Sequence, residues 1–165
     1  MLIGIMSDTH NDIEMTLKAL DEFQSRGVSM LIHAGDITSP RLISFFKDFD
    51  TKIVLGNGDL DSDLINSECI KFGFGPVQKV RTVTVDSKLI HISHGNNVAE
   101  FRHALDSAKF DYIIKGHTHV FENYISQGTH IINPGALYAA DEYTIAVLDL
   151  VNDTVEKIYI DKEED

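Results

Sequence analysis

Basic residues are scarce in this chain: 14 lysines and arginines stand against 26 aspartates and glutamates, a formal net charge of −12. Polyanions would be repelled, which disfavours stable nucleic-acid binding and an anionic membrane surface. An anionic substrate is admitted only where local positive charge, such as a metal, outweighs that field. Cysteine is nearly absent. Cys69 is the single one, which rules out an internal disulfide and fits a reducing, cytoplasmic compartment. No apolar run approaches ~20 residues, so no membrane-spanning helix is expected. The N-terminal run 2–6 lacks the basic flank and cleavage site of a signal peptide and reads as a strand. No glycine-rich phosphate loop follows it, which argues against a nucleotide-binding α/β module. What is left is an ordinary globular composition, 43% hydrophobic and 24% charged, in a length that suits one domain over 1–165.

The hydrophobic pattern alternates between strand and helix. After the strand at 2–6, Asn11 with Glu14 reads as a capping box. Ile13, Leu17, Leu20 and Phe23 then recur at helical spacing as far as Gly27. A strand at 28–33 completes a strand–helix–strand unit, which implies parallel pairing. The pattern repeats. Ser39 caps and Pro40 opens a second helix with Leu42, Phe45, Phe46 and Phe49 on its apolar face, and a strand at 51–55 follows. From Leu60 to Pro76 the periodicity fades, and the stretch reads as a long loop with at most one helical turn. A hairpin at 78–85 and 88–93 turns at Asp86-Ser87. Asn97 with Glu100 caps a helix bearing Val98, Phe101, Leu105 and Ala108. Strands are expected at 112–115, 121–126, 129–132, 143–150 and 155–160, with the Asn133-Pro134-Gly135 turn among them. The acidic tail from Asp161 is expected to fray. Two mixed sheets packed face to face, with helices outside, account for this order.

In open α/β sheets ligands gather at the carboxyl ends of strands. Here those ends carry Asp8 and His10, then Asp36, Asn57, His94, and finally His117 and His119. In extended backbone, residues i and i+2 project to one side, so Asp8 with His10, and His117 with His119, reach one site. Imidazole donors argue against calcium or magnesium, and the missing cysteine cluster argues against a structural zinc site. Manganese, iron, zinc, nickel and cobalt all fit. Seven ligands exceed the needs of one such ion and suit two, about 3.5–4 Å apart and sharing a carboxylate.

Taken together, Asp8-x-His10, Gly35-Asp36, Gly56-Asn57-x-Asp59, His94-Gly95 and Gly116-His117-x-His119 resemble the five-block signature of the calcineurin-like metallophosphoesterases. The short length and the Ile132-Asn133-Pro134-Gly135 turn resemble the small bacterial and archaeal phosphodiesterase branch, to which the metallophosphoesterase-like subunit of retromer is related. The resemblance runs from Leu2 to about Leu150. It implies an α/β fold, a four-layer αββα sandwich of two mixed sheets flanked by helices. It also implies two divalent transition-metal ions, manganese foremost. Asp8, His10 and His119 would hold one ion and Asn57, His94 and His117 the other, with Asp36 bridging. The implied nucleophile is a water or hydroxide between the metals. The substrate would be a small phosphodiester, and a homodimer is compatible with the fold.

The third block departs from the family pattern. Many members read Gly-Asn-His-Asp where this chain reads Gly56-Asn57-Gly58-Asp59. That histidine is credited with serving the leaving group. Its loss predicts a rate penalty of ~10²–10⁴ and a bias towards good leaving groups such as aryl esters. Gly58 is expected to leave room beside the second metal for a bulkier diester. Asp59, without its usual partner, is given a supporting role behind the ligands. The run 59–63 otherwise reads as a solvated turn rather than a calcium loop. Asn57 and Asn96 are candidates for contact with phosphate oxygens. A lone histidine is most often structural, and that reading is given to His33, His91, His103 and His130. The competing functional reading is a binding or scaffold protein that keeps the fold without useful catalysis.

Overall fold

The computed structural model describes residues 1–161; the acidic tail expected to fray lies, beyond Asp161, outside them. Ten strands form two mixed five-stranded sheets. The first comprises β1 (Leu2–Met6), β2 (Met30–His33), β3 (Asp50–Ile53), β9 (Thr144–Asp149) and β10 (Thr154–Tyr159). β1, β2 and β3 run parallel; β9 joins β1 antiparallel and β10 closes that edge. The second comprises β4 (Val80–Val85), β5 (Lys88–Ser93), β6 (Tyr112–Ile114), β7 (Phe121–Ser126) and β8 (Thr129–Pro134). There β5, β6 and β8 are parallel, and β4 and β7 flank them antiparallel.

The period-2 rule builds the layers. Ile3 and Ile5 of β1, with Met30 and Ile32 of β2, face the second sheet and meet Ile90, Ile92, Tyr112, Ile114 and Ile132. The alternate residues Met6 and Leu31 face outward, onto α1 (Ile13–Ser25) and a 3-10 helix (Pro40–Phe46). α2 (Ser62–Lys71) completes that outer layer through Ile65 and Cys69. On the other side, Ile113 and Ile131 carry α3 (Val98–Asp106). This is the αββα sandwich expected. Gly4 makes it close: a Cβ there would lie 2.9 Å from the Phe23 ring of α1.

Four local expectations are corrected. α1 is capped by Asp12, whose side chain accepts the Met15 N–H, while Asn11 turns left-handed at φ 60°. The second helix is of 3-10 type and ends at Phe46, because only a few residues remain before β3 begins at Asp50. The stretch 60–76 is no loop. It holds α2, ten residues long, anchored by two buried side chains one turn apart, Ile65 and Cys69. Two anchors are too few to show as periodicity. Pro134 lies within β8, opposite Phe121, rather than in a free turn. No helix among the described residues is long and apolar enough to cross a membrane.

Candidate metal centre

Past their last paired residues, β1 and β2 stay side by side. Ala34 N–H donates to Met6 O, Asp8 N–H to Gly35 O, His10 N–H to Asp36 O and Asn11 N–H to Ile37 O, at 2.9–3.0 Å. This loop ladder carries Asp8, His10 and Asp36 to one end of the sheet. The extended alternation expected of Asp-x-His and His-x-His is not how they converge. Asp8, His10, Asp36, His117 and His119 all have φ between 42° and 73°. Left-handed residues turn the chain sharply, and such turns bring Asp8, His10, Asp36 and His119 to one centre while His117 stays at its rim.

Glycines permit the approach. A Cβ on Gly56 would lie 2.0 Å from Asp36 Oδ1, and one on Gly116 would lie 2.7 Å from Asp8 Oδ2. Gly35, at φ 98°, sits with its Cβ direction 2.8 Å from both Gly56 N and His94 Nδ1. Gly58 lies against the Asp36 carboxylate: a Cβ there would be 3.1 Å from it. Its N–H donates to Asp36 Oδ1 at 2.7 Å.

Five of the seven candidate ligands come together. His119 Nε2 lies 3.2 Å from Asp8 Oδ1. His94 Nε2 lies 3.4 Å from Asp36 Oδ2 and 3.8 Å from Asp8 Oδ1. His10 Nε2 lies 3.5 Å from Asp36 Oδ2 and 3.9 Å from Asp8 Oδ1. Two sets have donor atoms mutually within 4.8 Å: Asp8, His10 and His119, and Asp8, Asp36 and His94. The carboxylate common to both sets is that of Asp8. His117 and Asn57 lie at the rim. His117 gives its N–H to Asp8 Oδ2 at 3.0 Å and sets its ring edge-on to His94, 5.1 Å between centroids. Asn57 and Asn96 line a cavity beside His94.

The chemistry of these donors fits a cation. His94 Nδ1 donates to Ala34 O at 2.8 Å, and His119 Nδ1 to Ala139 O at 3.1 Å. A carbonyl only accepts, so in each neutral ring Nε2 presents a lone pair to a carboxylate oxygen. Two acceptors facing each other at 3.2–3.4 Å repel unless a cation lies between them. Asp8 Oδ1, His10 Nε2 and His94 Nε2 are buried without a hydrogen-bond partner. Burial works against charge on His94, but the Asp36 and Asp8 carboxylates raise its pKa. Burial likewise opposes ionisation of Asp36, yet His94 and the Gly58 N–H pull it down to about 2.

Three supporting residues were legible weakly or not at all. Asp59 is buried, not solvated: it accepts Gly56 N–H, Thr38 N–H and Asp36 N–H at 2.7–3.0 Å. His33, read as structural, is fully buried between the two ligand loops. Gly35 N–H donates to its Nδ1, so its Nε2–H donates to Thr9 Oγ1 at 3.0 Å. Asn133, read only as part of a turn, donates to Gly116 O and Thr118 Oγ1 and so holds the loop of His117 and His119. A polar residue at a strand end beside Pro-Gly was its only signal. His91, His103 and His130 lie away from the centre. His91 pairs with Glu100 and His130 with Asn123.

Residues 1–153 match the model of the calcineurin-like phosphoesterase superfamily domain. A phosphodiesterase of Methanocaldococcus jannaschii is 32% identical over 162 residues, 90% of this chain and 93% of the relative. A solved archaeal phosphodiesterase superposes with TM-score 0.88 at 29% identity, covering 96% of this chain and 99% of that one. Vps29 of Entamoeba histolytica shares the fold at TM-score 0.68 and 17% identity, covering 99% and 100%.

Proposed function

The chain belongs to the calcineurin-like phosphoesterase superfamily, and on that premise we propose that it is a phosphodiesterase working with two divalent transition-metal ions, manganese foremost. The observation that carries this reading is the set of buried polar atoms turned on one another: Asp8 Oδ1, His10 Nε2 and His94 Nε2 have no hydrogen-bond partner, as donors to a cation would. The related phosphodiesterase at 32% identity supports the diester as substrate.

Asp8, His10 and His119 would hold one ion, and His94, with Asn57 and His117 closing from the rim, the other. Asp36 suits the shared position, since its Oδ2 stands 3.5 Å from His10 Nε2 and 3.4 Å from His94 Nε2. When bound, such ions acidify a water for attack on phosphorus and offset charge on the phosphoryl oxygens. The chain itself sets the donors. Asp59 and Gly58 orient Asp36 through N–H bonds, while Ala34 O and Ala139 O fix the tautomers of His94 and His119. No side chain at position 58 offers the leaving group a proton, so good leaving groups are favoured. Asn96 can donate to a phosphoryl oxygen.

The test is elemental analysis of the purified protein together with hydrolysis of an aryl phosphodiester and an aryl monoester under manganese, nickel or zinc. Diester turnover is expected, and Asp36→Asn should abolish it. No diester turnover with any metal overturns the reading in favour of a non-catalytic binding protein.

A further inference from the structure

We propose that the cavity beside His94 is a subsite for an ester substituent bearing a second anionic group, a phosphate or a carboxylate, on a short hydroxylated carbon chain. The inference rests on the phosphodiesterase reading for its place in catalysis, but not for its chemistry. The cavity measures about 220 Å³ and shares His94 and Asn57 with the metal centre. At ~30 Å³ per water, that is the room of about seven waters, enough for a group the size of glycerol phosphate.

Its lining has one cation and a surplus of donors. Lys79 stands at the rim and makes no ion pair among the described residues. Several other lysines sit in ion pairs: Lys52 with Asp50, Lys88 with Asp111, Lys157 with Glu142. Lys79 therefore has no carboxylate partner of its own in a chain that is otherwise strongly acidic. Below it lies Ser93, 2% exposed, with an Oγ that has no hydrogen-bond partner. A buried hydroxyl costs stability unless a partner reaches it, and a ligand in this cavity is the partner available. Asn96, the cap residue Asn97 and Glu100 line the cavity where α3 begins. Asn97 caps the helix by accepting the Glu100 N–H, which leaves the N–H groups of Val98 and Ala99 without a helical acceptor. Glu100 also borders the cavity, but its Oε1 sits 2.7 Å from His91 Nε2, which draws that carboxylate to the wall. Leu55 and Val80 supply the apolar side that a carbon linker needs.

Three p-nitrophenyl phosphodiesters test the subsite, with ethyl, 3-phospho-2-hydroxypropyl or 3-carboxy-2-hydroxypropyl as the second ester. With the manganese-loaded protein, kcat/KM for the anionic diesters should exceed that for the ethyl diester by about tenfold. Lys79→Gln should bring that ratio close to one. A gain for the phosphate arm alone assigns phosphate; a gain for both admits carboxylates. A ratio near one in the unaltered protein, or a ratio unmoved by Lys79→Gln, overturns the proposal. Binding is read separately, by amide chemical-shift mapping of the metal-free protein with glycerol 3-phosphate. Shifts at Gly95, Asn96 and Asn97 that weaken in Lys79→Gln are expected, and no shift there overturns the proposal whatever the turnover. Shifts without turnover of any diester leave the subsite standing and fail the phosphodiesterase reading instead.

Discussion

The Asp59 carboxylate takes the backbone N–H of Asp36 on Oδ2, at 3.0 Å. The same carboxylate accepts Gly56 N–H and Thr38 N–H, so one side chain ties the loop after β2 to the loop after β3. Burial pushes its pKa above the ordinary value even against three N–H donors. Asp59→Ala should cost roughly 2–4 kcal/mol, since it strands buried N–H groups. Metal affinity should fall ~10–100-fold, because Asp36 loses its anchor. Urea unfolding and a metal titration check both. Unchanged metal affinity would show that Asp36 holds its place unaided.

His33 makes the metal-free protein sensitive to acid. Burial, first of all, lowers its pKa to about 3, with His94 adding to the effect. Below pH 6.5 the unfolded chain takes up a proton here, and the folded chain does not until about pH 3. Its contribution is therefore intact above pH 6.5 and lost as pH falls through that window, by at most ~1.4 kcal/mol per pH unit. Urea unfolding of metal-free protein across that range should show a flatter pH dependence in His33→Asn. Parallel curves would remove His33 as the cause.

Gly56 and Gly58 should respond differently to the same added methyl. Gly56→Ala brings Cβ to 2.0 Å from Asp36 Oδ1, so Asp36 must move. A displacement of that kind costs ~10² or more in activity, and overpacking costs ~1–3 kcal/mol. Gly58→Ala meets the carboxylate at 3.1 Å and needs only a small shift. Its activity should stay within about tenfold of the parent. Parallel kinetics and melting of the two variants decide it, and equal losses would count against the geometry.

Cys69 should be inert in the folded chain. Burial, before any other influence, drives its thiol up to about 12, so almost no thiolate exists at pH 8. A colorimetric disulfide reagent at pH 8 should find no reactive thiol in native protein and one per chain in denaturant. Fast reaction of native protein would mean that α2 lifts off the sheet.

The layers were readable because each strand repeats an unambiguous period of two and is bounded by glycine or polar residues. α2 was not, because Ile65 and Cys69 are only two anchors on a helix whose other face meets water. The candidate ligands were readable by type and order alone. The route that brings them together was not, since left-handed turns at Asp8 and His10 leave no mark in a hydrophobic pattern. The role of Asn133 was hidden for a related reason: its hydrogen bonds are to Gly116 and Thr118, far away in sequence. Gly58 shows the opposite case. Its departure from the family pattern was visible, but only coordinates show that its N–H donates to the Asp36 carboxylate.

The left-handed backbone at five of the candidate ligands has a bearing on evolution in the laboratory. A non-glycine residue held in a sparsely populated region costs of order 1–3 kcal/mol. Glycine would relieve most of it at His10, His117 or His119. A heat-survival screen run without a metal-dependent readout should therefore enrich glycine at those positions, giving hardier proteins with nothing left to hold an ion. Any attempt to breed a tougher version must select for turnover and for temperature together.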